Sequence, residues 1–135
     1  MATLTSNEAS AGVQPPGLRV GLVQVAATFS VAASMSSGDV IQMIKVPSGG
    51  QVVYVRTTSA LQGQGSISVG DGVSTNRYIV DSAASKSSGN LVINNPSFVP
   101  YTYSTDDTID VTTSASTNFS AGALYMVAII SFAGP

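Results

Sequence analysis

The chain has 135 residues, a net charge of −2 and only 9% charged residues, with no Cys, His or Trp. This composition excludes a disulfide framework, a Cys/His zinc site and every nucleophilic mechanism that depends on Cys or His. The five Lys and Arg residues form no basic footprint for nucleic acid or an anionic membrane. Because 44% of the residues are hydrophobic, the chain is expected to fold, as one non-enzymatic domain with an uncharged surface.

The first segment, residues 1–17, is built mainly from small and polar residues and ends at Pro15-Pro16-Gly17. Consecutive prolines favour an extended backbone and disfavour both helices and central strands. We therefore predict an extended N-terminal arm over residues 1–17 and a folded domain over residues 18–135. Neither a signal peptide nor a membrane span is expected, because residues 1–17 lack a basic start and the longest apolar run, residues 121–133, is short.

From residue 18 onward, short apolar runs alternate with clusters of Gly, Pro, Asn and Asp. The runs recur about every ten residues without sustained helical periodicity, which is typical of a sandwich or barrel. We predict an all-β fold: a single-domain β-sandwich or jelly-roll-like barrel of about eight short antiparallel strands. Candidate strands cover residues 19–31, 40–46, 51–58, 66–69, 77–80, 91–93, 98–103, 108–112 and 124–132, and residues 82–90 are expected to form a loop or one helical turn.

Three of these strands carry further expectations about their faces. In the third strand, a period of two places Val53, Val55 and Thr57 on one face. The strand at residues 40–46 departs from strict alternation. The last strand, residues 124–132, is apolar on both faces, so we expect it to be central in a sheet or covered by a neighbouring subunit.

The acidic residues offer one candidate for chemistry. Asp106, Asp107 and Asp110 lie within five positions and could supply part of a calcium site. No EF-hand or glycine-rich calcium repeat surrounds them, so solvated residues at a strand start are the favoured interpretation. A glycosidase would need two carboxylates about 5–9 Å apart in a cleft, which nothing in the pattern indicates. We expect no catalytic residue, no metal and no cofactor.

Two other features have a structural and a functional interpretation. Gly70-Asp71-Gly72 is predicted to be a tight turn whose glycines allow positive φ; the Lys of a phosphate-binding loop is missing from this region. A sugar platform could use Asn94, Asn95, Tyr101 and Tyr103, although packing within the sandwich is favoured for the aromatic rings.

A longer pattern runs from Ser37 to Val80. A Gly38-Asp39 pair precedes a strand that ends at Pro47-Ser48-Gly49-Gly50; Val69-Gly70-Asp71-Gly72 and Arg77-Tyr78-Ile79 follow. This order resembles small structural proteins of tailed bacteriophages, whose size and composition are similar to those of capsid cement, or decoration, proteins. The motifs are geometric and not catalytic.

The resemblance implies a virion protein made in the host cytoplasm, which binds the major capsid protein on the capsid exterior as a homotrimer and stabilises the shell. It implies no nucleic-acid or membrane partner. The alternative is a head-fibre or tail component with a carbohydrate-binding role. The candidate capsid-binding residues of the arm are Ala2, Leu4, Val13, Pro15, Pro16 and Leu18. The candidate subunit contacts are Phe98, Tyr101, Tyr103, Tyr125, Ile129 and Phe132.

Overall fold

The computed structural model describes residues 3–6, 20–31, 34–83, 91–94, 99–114 and 118–133. Within these ranges the regular secondary structure is β-strand. The strands are β1 (Thr3–Thr5), β2 (Val20–Ser30), β3 (Val40–Val46), β4 (Gly50–Ser59), β5 (Ser66–Gly70), β6 (Ile79–Ala83), β7 (Leu91–Asn94), β8 (Tyr101–Thr102), β9 (Asp107–Thr113) and β10 (Ala123–Ala133). Each of the nine predicted runs overlaps one of these strands, and β1 is the strand that was not predicted. Strand β6 begins later than predicted and extends to Ala83, into the residues that were expected to form a loop or helical turn.

The strands form two open sheets that pack face to face and do not close into a barrel. Sheet A has the order β1-β3-β9-β5-β6, and sheet B has the order β2-β10-β4-β7, with β8 also paired to β4. One hydrophobic core joins them, with Ile41 and Ile109 from sheet A and Val55, Met126 and Ile130 from sheet B. The predicted sandwich is therefore confirmed.

Strand β1 departs from the predicted antiparallel pattern. It pairs in parallel with β3, with Leu4 opposite Ile41, so sheet A is mixed. Leu4 packs against the core, and Ser6 is buried, donating its hydroxyl to the carbonyl of Met43. Part of the predicted arm thus forms the edge of sheet A, while residues 7–19 lie outside the described ranges.

Two β-bulges explain where simple alternation fails. The β3–β9 register shifts between Gln42 and Ile44, so Met43 and Ile44 are both buried although they are consecutive. The β4–β10 register shifts between Ile129 and Ile130, opposite Val53. The expectation that Val53 shares a face with Val55 is therefore wrong: Val55 is buried, whereas Val53 is only half-buried.

Strand β10 occupies the centre of sheet B, between β2 and β4, as its apolar sequence predicted. Leu124, Met126, Ala128 and Ile130 point into the core and are buried. The alternate residues of β10 face outward and form part of a surface that is described below.

Candidate functional site

The Val-Gly-Asp-Gly and Arg-Tyr-Ile motifs meet in a buried polar network around Asp71. The Asp71 side chain is inaccessible to solvent, and its carboxylate accepts a hydrogen bond from Arg77 Nε at 2.5 Å. It also accepts the backbone N–H groups of Val73 at 3.0 Å and Ser74 at 2.8 Å, and the Tyr103 hydroxyl at 2.9 Å. One carboxylate therefore joins the β5–β6 connection to the segment that follows β8.

Two tyrosine hydroxyls continue this network. The hydroxyls of Tyr78 and Tyr103 are hydrogen-bonded to each other. Because Tyr103 donates its single proton to Asp71, Tyr78 must donate to Tyr103. The side chain of Tyr78 is fully buried, so this chain of hydrogen bonds satisfies hydroxyls that would otherwise be costly to bury.

The titration of these groups follows from their surroundings. Burial alone would raise the pKa of Asp71, but the hydrogen bonds from Arg77, Ser74, Tyr103 and Val73 outweigh it and hold that pKa below its usual value. Burial raises the pKa of Tyr78 and of Tyr103, so both remain protonated donors. Asp71 is therefore a charged anchor surrounded by donors, an arrangement suited to holding a loop in place.

Gly70 is required for a reason that differs from the prediction. Neither Gly70 nor Gly72 has positive φ, so neither uses the conformational freedom on which the turn prediction relied. Instead, a Cβ at Gly70 would overlap the backbone of Ser74 and Thr75, because the loop folds back against this point. The loop also cannot cradle a phosphate with the N–H groups of Val73 and Ser74, since Asp71 already occupies both.

The predicted sugar platform is not formed by the two tyrosines. The rings of Tyr101 and Tyr103 are edge to face, at 81° and with centroids 4.9 Å apart, whereas a platform needs exposed, coplanar faces. The guanidinium of Arg77 covers the ring of Tyr101 at 3.6 Å, and Tyr103 is only 4% exposed. Asn95 lies outside the described residues, as does the side chain of Asn94.

The acidic cluster is also engaged by its own chain. Asp106 accepts the N–H of Ser48 at 2.8 Å, Asp107 accepts that of Thr108 at 2.7 Å, and Asp110 accepts the Thr108 hydroxyl at 2.6 Å. Asp106 and Asp107 line a shallow groove with Lys45. Within the described ranges, no three acidic side chains are grouped closely enough to hold a metal ion.

Asp110 nevertheless has an unusual environment. It lies in β9, between Gln42 of β3 and Gly70 of β5. Burial raises its pKa to about 6; the bond from Thr108 opposes this shift, and the charges of Asp107 and Asp71 add to it. Folding therefore favours its neutral form.

The outer faces of the two sheets differ in chemistry. On sheet B, the outward residues of β10 lie beside apolar neighbours: Val127 is opposite Ala26, and Ile129 is opposite Tyr54. The outer face of sheet B includes Leu22, Gln24, Ala26, Tyr54, Arg56, Val92, Tyr125, Val127 and Ile129, with Thr28 and Thr58 on either side of Tyr125. Sheet A instead presents polar pairs such as Lys45 with Thr108 and Ser68 with Thr112. Sheet B therefore has the face better suited to another protein surface.

The candidate subunit contacts fall into three environments. Tyr125, which is 43% exposed, and the half-buried Ile129 lie on the outer face of sheet B. Tyr103 and Phe132 are buried in the core, and Tyr101 is half-buried below Arg77. Phe98 lies outside the described residues. A role in subunit contact remains a prediction for all six.

Of the arm residues, Leu4 lies in β1, and Ala2, Val13, Pro15, Pro16 and Leu18 are outside the described ranges. Sequence reasoning missed the Asp71 network as a unit. The available signal was an Asp followed six positions later by Arg-Tyr, in a chain with very few charges. No helix in the described part of the chain is long and apolar enough to cross a membrane.

The fold is similar to that of chains in bacteriophage capsids. One is a chain in the capsid of Ralstonia phage GP4: the structural alignment covers 96% of the present chain and 97% of the GP4 chain, with a TM-score of 0.70 and 13% identity. A chain of the cyanophage Pam1 capsid asymmetric unit matches 93% over 96% of its length, with a TM-score of 0.67 and 17% identity.

A chain in the acid-stable capsid of Helicobacter pylori bacteriophage KHP30 matches 84% of this chain over 94% of its own length, with a TM-score of 0.51 and 14% identity. No protein-family model matches the sequence, and no curated protein does. At these identities the similarity establishes a shared fold.

Proposed function

We propose that this chain is a structural protein of a phage virion, and specifically a cement or decoration protein that binds the outer surface of the head. The observation that carries the proposal is the overlap with the GP4 chain, which covers 96% of one chain and 97% of the other. Chains that overlap almost completely are nearly equal in length, so the similarity extends to a whole small capsid chain.

The chemistry of the described residues supports a role in binding that involves no catalysis. The most elaborate polar cluster, around Asp71, is occupied by internal hydrogen bonds, and its tyrosines are held protonated. A cement protein needs no nucleophile: it stabilises a shell because it binds the assembled state in preference to free subunits. The low charge of the chain would make such binding less sensitive to salt.

The arm is proposed as the capsid-binding element, through Ala2, Leu4, Val13, Pro15, Pro16 and Leu18. Residues 7–19 connect β1 in sheet A to β2 in sheet B, and a fully extended segment of this length spans at most roughly 45 Å. An extended, Pro-containing segment can add to a sheet edge of a neighbouring capsid subunit by backbone pairing. The partner in this proposal is the major capsid protein.

The outer face of sheet B is proposed as the contact between copies of the chain in a homotrimer. Tyr125 and Ile129 supply its centre, and Arg56 is the single charged side chain among its residues. Aromatic and aliphatic anchors of this kind dominate the binding energy of protein interfaces.

Co-sedimentation with purified, undecorated heads tests the proposal. Replacing residues 7–17 with a Gly/Ser segment of equal length leaves β1 intact, and we expect it to lower binding at least tenfold. Deletion of residues 2–17 should abolish binding, but it also removes β1 and the buried Ser6, so circular dichroism must show that this variant is folded before its binding is compared. Tyr125→Lys should dissociate the trimer, whereas Thr112→Lys on the polar face of sheet A serves as the control. Undiminished binding by both arm variants would exclude the arm, and association of the wild-type chain with tails would favour the fibre or tail alternative.

A further inference from the structure

One end of the sandwich collects three connections between strands. The turn at residues 47–49 joins β3 of sheet A to β4 of sheet B, and residues 103–106 join β8 to β9. A backbone hydrogen bond of 2.8 Å holds these two connections together. The loop at residues 71–78 joins β5 to β6 at the same end, and the Tyr103 hydroxyl fastens it to the other two by donating to Asp71.

The N-terminal arm is attached to the sandwich at this end. Strand β1 runs parallel to β3, so the chain leaves β1 in the direction of the turn that follows β3. Strand β2 begins at the same end, because Gly21 lies opposite Phe132, which in turn lies opposite Gly50 at the start of β4. Residues 7–19 are therefore flanked on both sides by strand ends that point here. We call this end, with its three connections, the arm end.

The loop at residues 71–78 holds an apolar side chain out into solvent. Val73 is 84% exposed, the highest value among the large hydrophobic residues that the structure describes. Val80, the second residue of β6, follows the loop and is also exposed. Isolated exposed apolar residues are common on protein surfaces, so exposure alone does not distinguish Val73. What distinguishes it is the way its backbone is held.

The Asp71 network fixes the backbone that carries Val73. Asp71 accepts the N–H of Val73 itself and that of Ser74, and the N–H of Asp71 donates to the Ser74 carbonyl at 2.9 Å. Gly70, which has no Cβ, lets this carbonyl lie against the end of β5. A loop that is ordered before it meets a partner loses little conformational freedom on binding, so more of its contact energy contributes to affinity. The buried network therefore prepares a rigid, apolar projection on the surface.

We propose that the arm end faces the shell and that Val73 inserts into an uncharged, apolar depression on the major capsid protein. Residues 72–76 carry no charge, and the flanking charges of Asp71 and Arg77 pair with each other, so the loop suits an apolar protein surface. The arm leaves from the same end, so the loop and the arm would meet one partner. Copies of the chain are proposed to meet through the outer face of sheet B, which leaves the arm end for another protein. This inference rests on the proposed function and adds to it the part of the sandwich that is turned toward the shell.

Opposite charges at position 73 test whether the partner surface is apolar. Val73→Asp and Val73→Lys each change an exposed side chain, so we expect their urea denaturation curves to match that of the wild-type chain. In co-sedimentation with undecorated heads, both should bind about tenfold more weakly or worse, because each would bury an unpaired charge. Gln64→Asp and Gln64→Lys are the matched controls. Gln64 is exposed in the connection between β4 and β5, at the opposite end of the sandwich, and its variants should bind as the wild-type chain does.

A photoreactive benzoylphenylalanine in place of Val73 identifies the occupant. On decorated heads, irradiation should link this variant to the major capsid protein, whereas the same replacement at Gln64 should give no such product. The inference is overturned, and the proposed function stands, if the wild-type chain binds heads and both charged Val73 variants bind equally well. It is also overturned if only one of the two charges weakens binding, if the Gln64 variants weaken it as much, or if position 73 crosslinks to a second copy of the chain instead. If the wild-type chain does not bind heads, the proposed function fails and this inference fails with it.

Discussion

Replacing Tyr103 with Phe removes one oxygen from the centre of the Asp71 network and leaves the ring in place. The substitution breaks the 2.9 Å bond to Asp71 and also removes the acceptor of the Tyr78 hydroxyl. Both losses occur in a site where Asp71 is 1% exposed and Tyr78 is 0% exposed, so water cannot replace the missing oxygen without rearrangement.

The expected cost follows from these two losses. A hydrogen bond to a charged group contributes about 1.5–3 kcal/mol, and a buried donor left without its acceptor costs about 1–3 kcal/mol. Because the two bonds share one oxygen and belong to one network, we expect a combined loss of about 2–4 kcal/mol in the free energy of unfolding. For a domain of this size, the corresponding fall in Tm is about 6–20 °C.

Urea denaturation followed by circular dichroism measures this loss. The control is Thr112→Val, which removes a hydroxyl from the polar outer face of sheet A, away from the proposed subunit contact, and should change the free energy of unfolding by less than about 0.5 kcal/mol. The double variant Tyr78→Phe/Tyr103→Phe should cost less than the sum of the two single variants, because each single variant already breaks the bond between the two hydroxyls. Strict additivity, or a Tyr103→Phe variant as stable as Thr112→Val, would refute the network.

Three further substitutions test other parts of the fold by urea denaturation. Gly70→Ala should cost more than about 2 kcal/mol because its Cβ overlaps backbone, whereas Gly72→Ala, whose Cβ would lie 3.4 Å from Asp107, should cost far less; equal effects would contradict this reasoning. The pKa of Asp110 is raised from 3.8 to about 6, so its contribution to stability is present below about pH 4 and lost as the pH rises through about 6. Asp110→Asn should therefore stabilise the protein at neutral pH, by up to about 3 kcal/mol, and flatten this slope; an unchanged slope would exclude the assignment. Thr57→Val removes a buried hydroxyl without a hydrogen-bond partner, so we expect equal or greater stability, and a loss above about 1 kcal/mol would show that the hydroxyl is satisfied.

The sequence predicted the strands because turn residues and apolar runs are local signals. Strand β10 shows this most clearly, since apolar residues on both faces indicated a central strand. The three-residue β1 was missed because its position depends on contacts with β3, which are distant in sequence. The bulge at Val53 was missed for the same reason: it is defined by the register against β10.

The polar network was less accessible to prediction than the strands. Asp71, Arg77 and Tyr78 lie in one motif, but their partner Tyr103 is 32 residues from Asp71 in the sequence. Tyr101 and Tyr103 were instead predicted as candidate subunit contacts, because aromatic side chains are common at interfaces. That Asp71 accepts the hydrogen bond of Tyr103 could not be inferred from the sequence. Likewise, position 70 requires glycine because the backbone of Ser74 and Thr75 lies where a Cβ would be. The φ angle of Gly70 is not positive and does not explain the requirement.

Cryo-electron microscopy of the virions whose genome encodes this chain tests the central proposal most directly. The proposal predicts density for the two-sheet fold on the outside of the head, with copies grouped in threes and residues of the arm in contact with the major capsid protein. Density for this fold in the tail or in a fibre, or its absence from purified virions, would contradict the assignment as a cement protein.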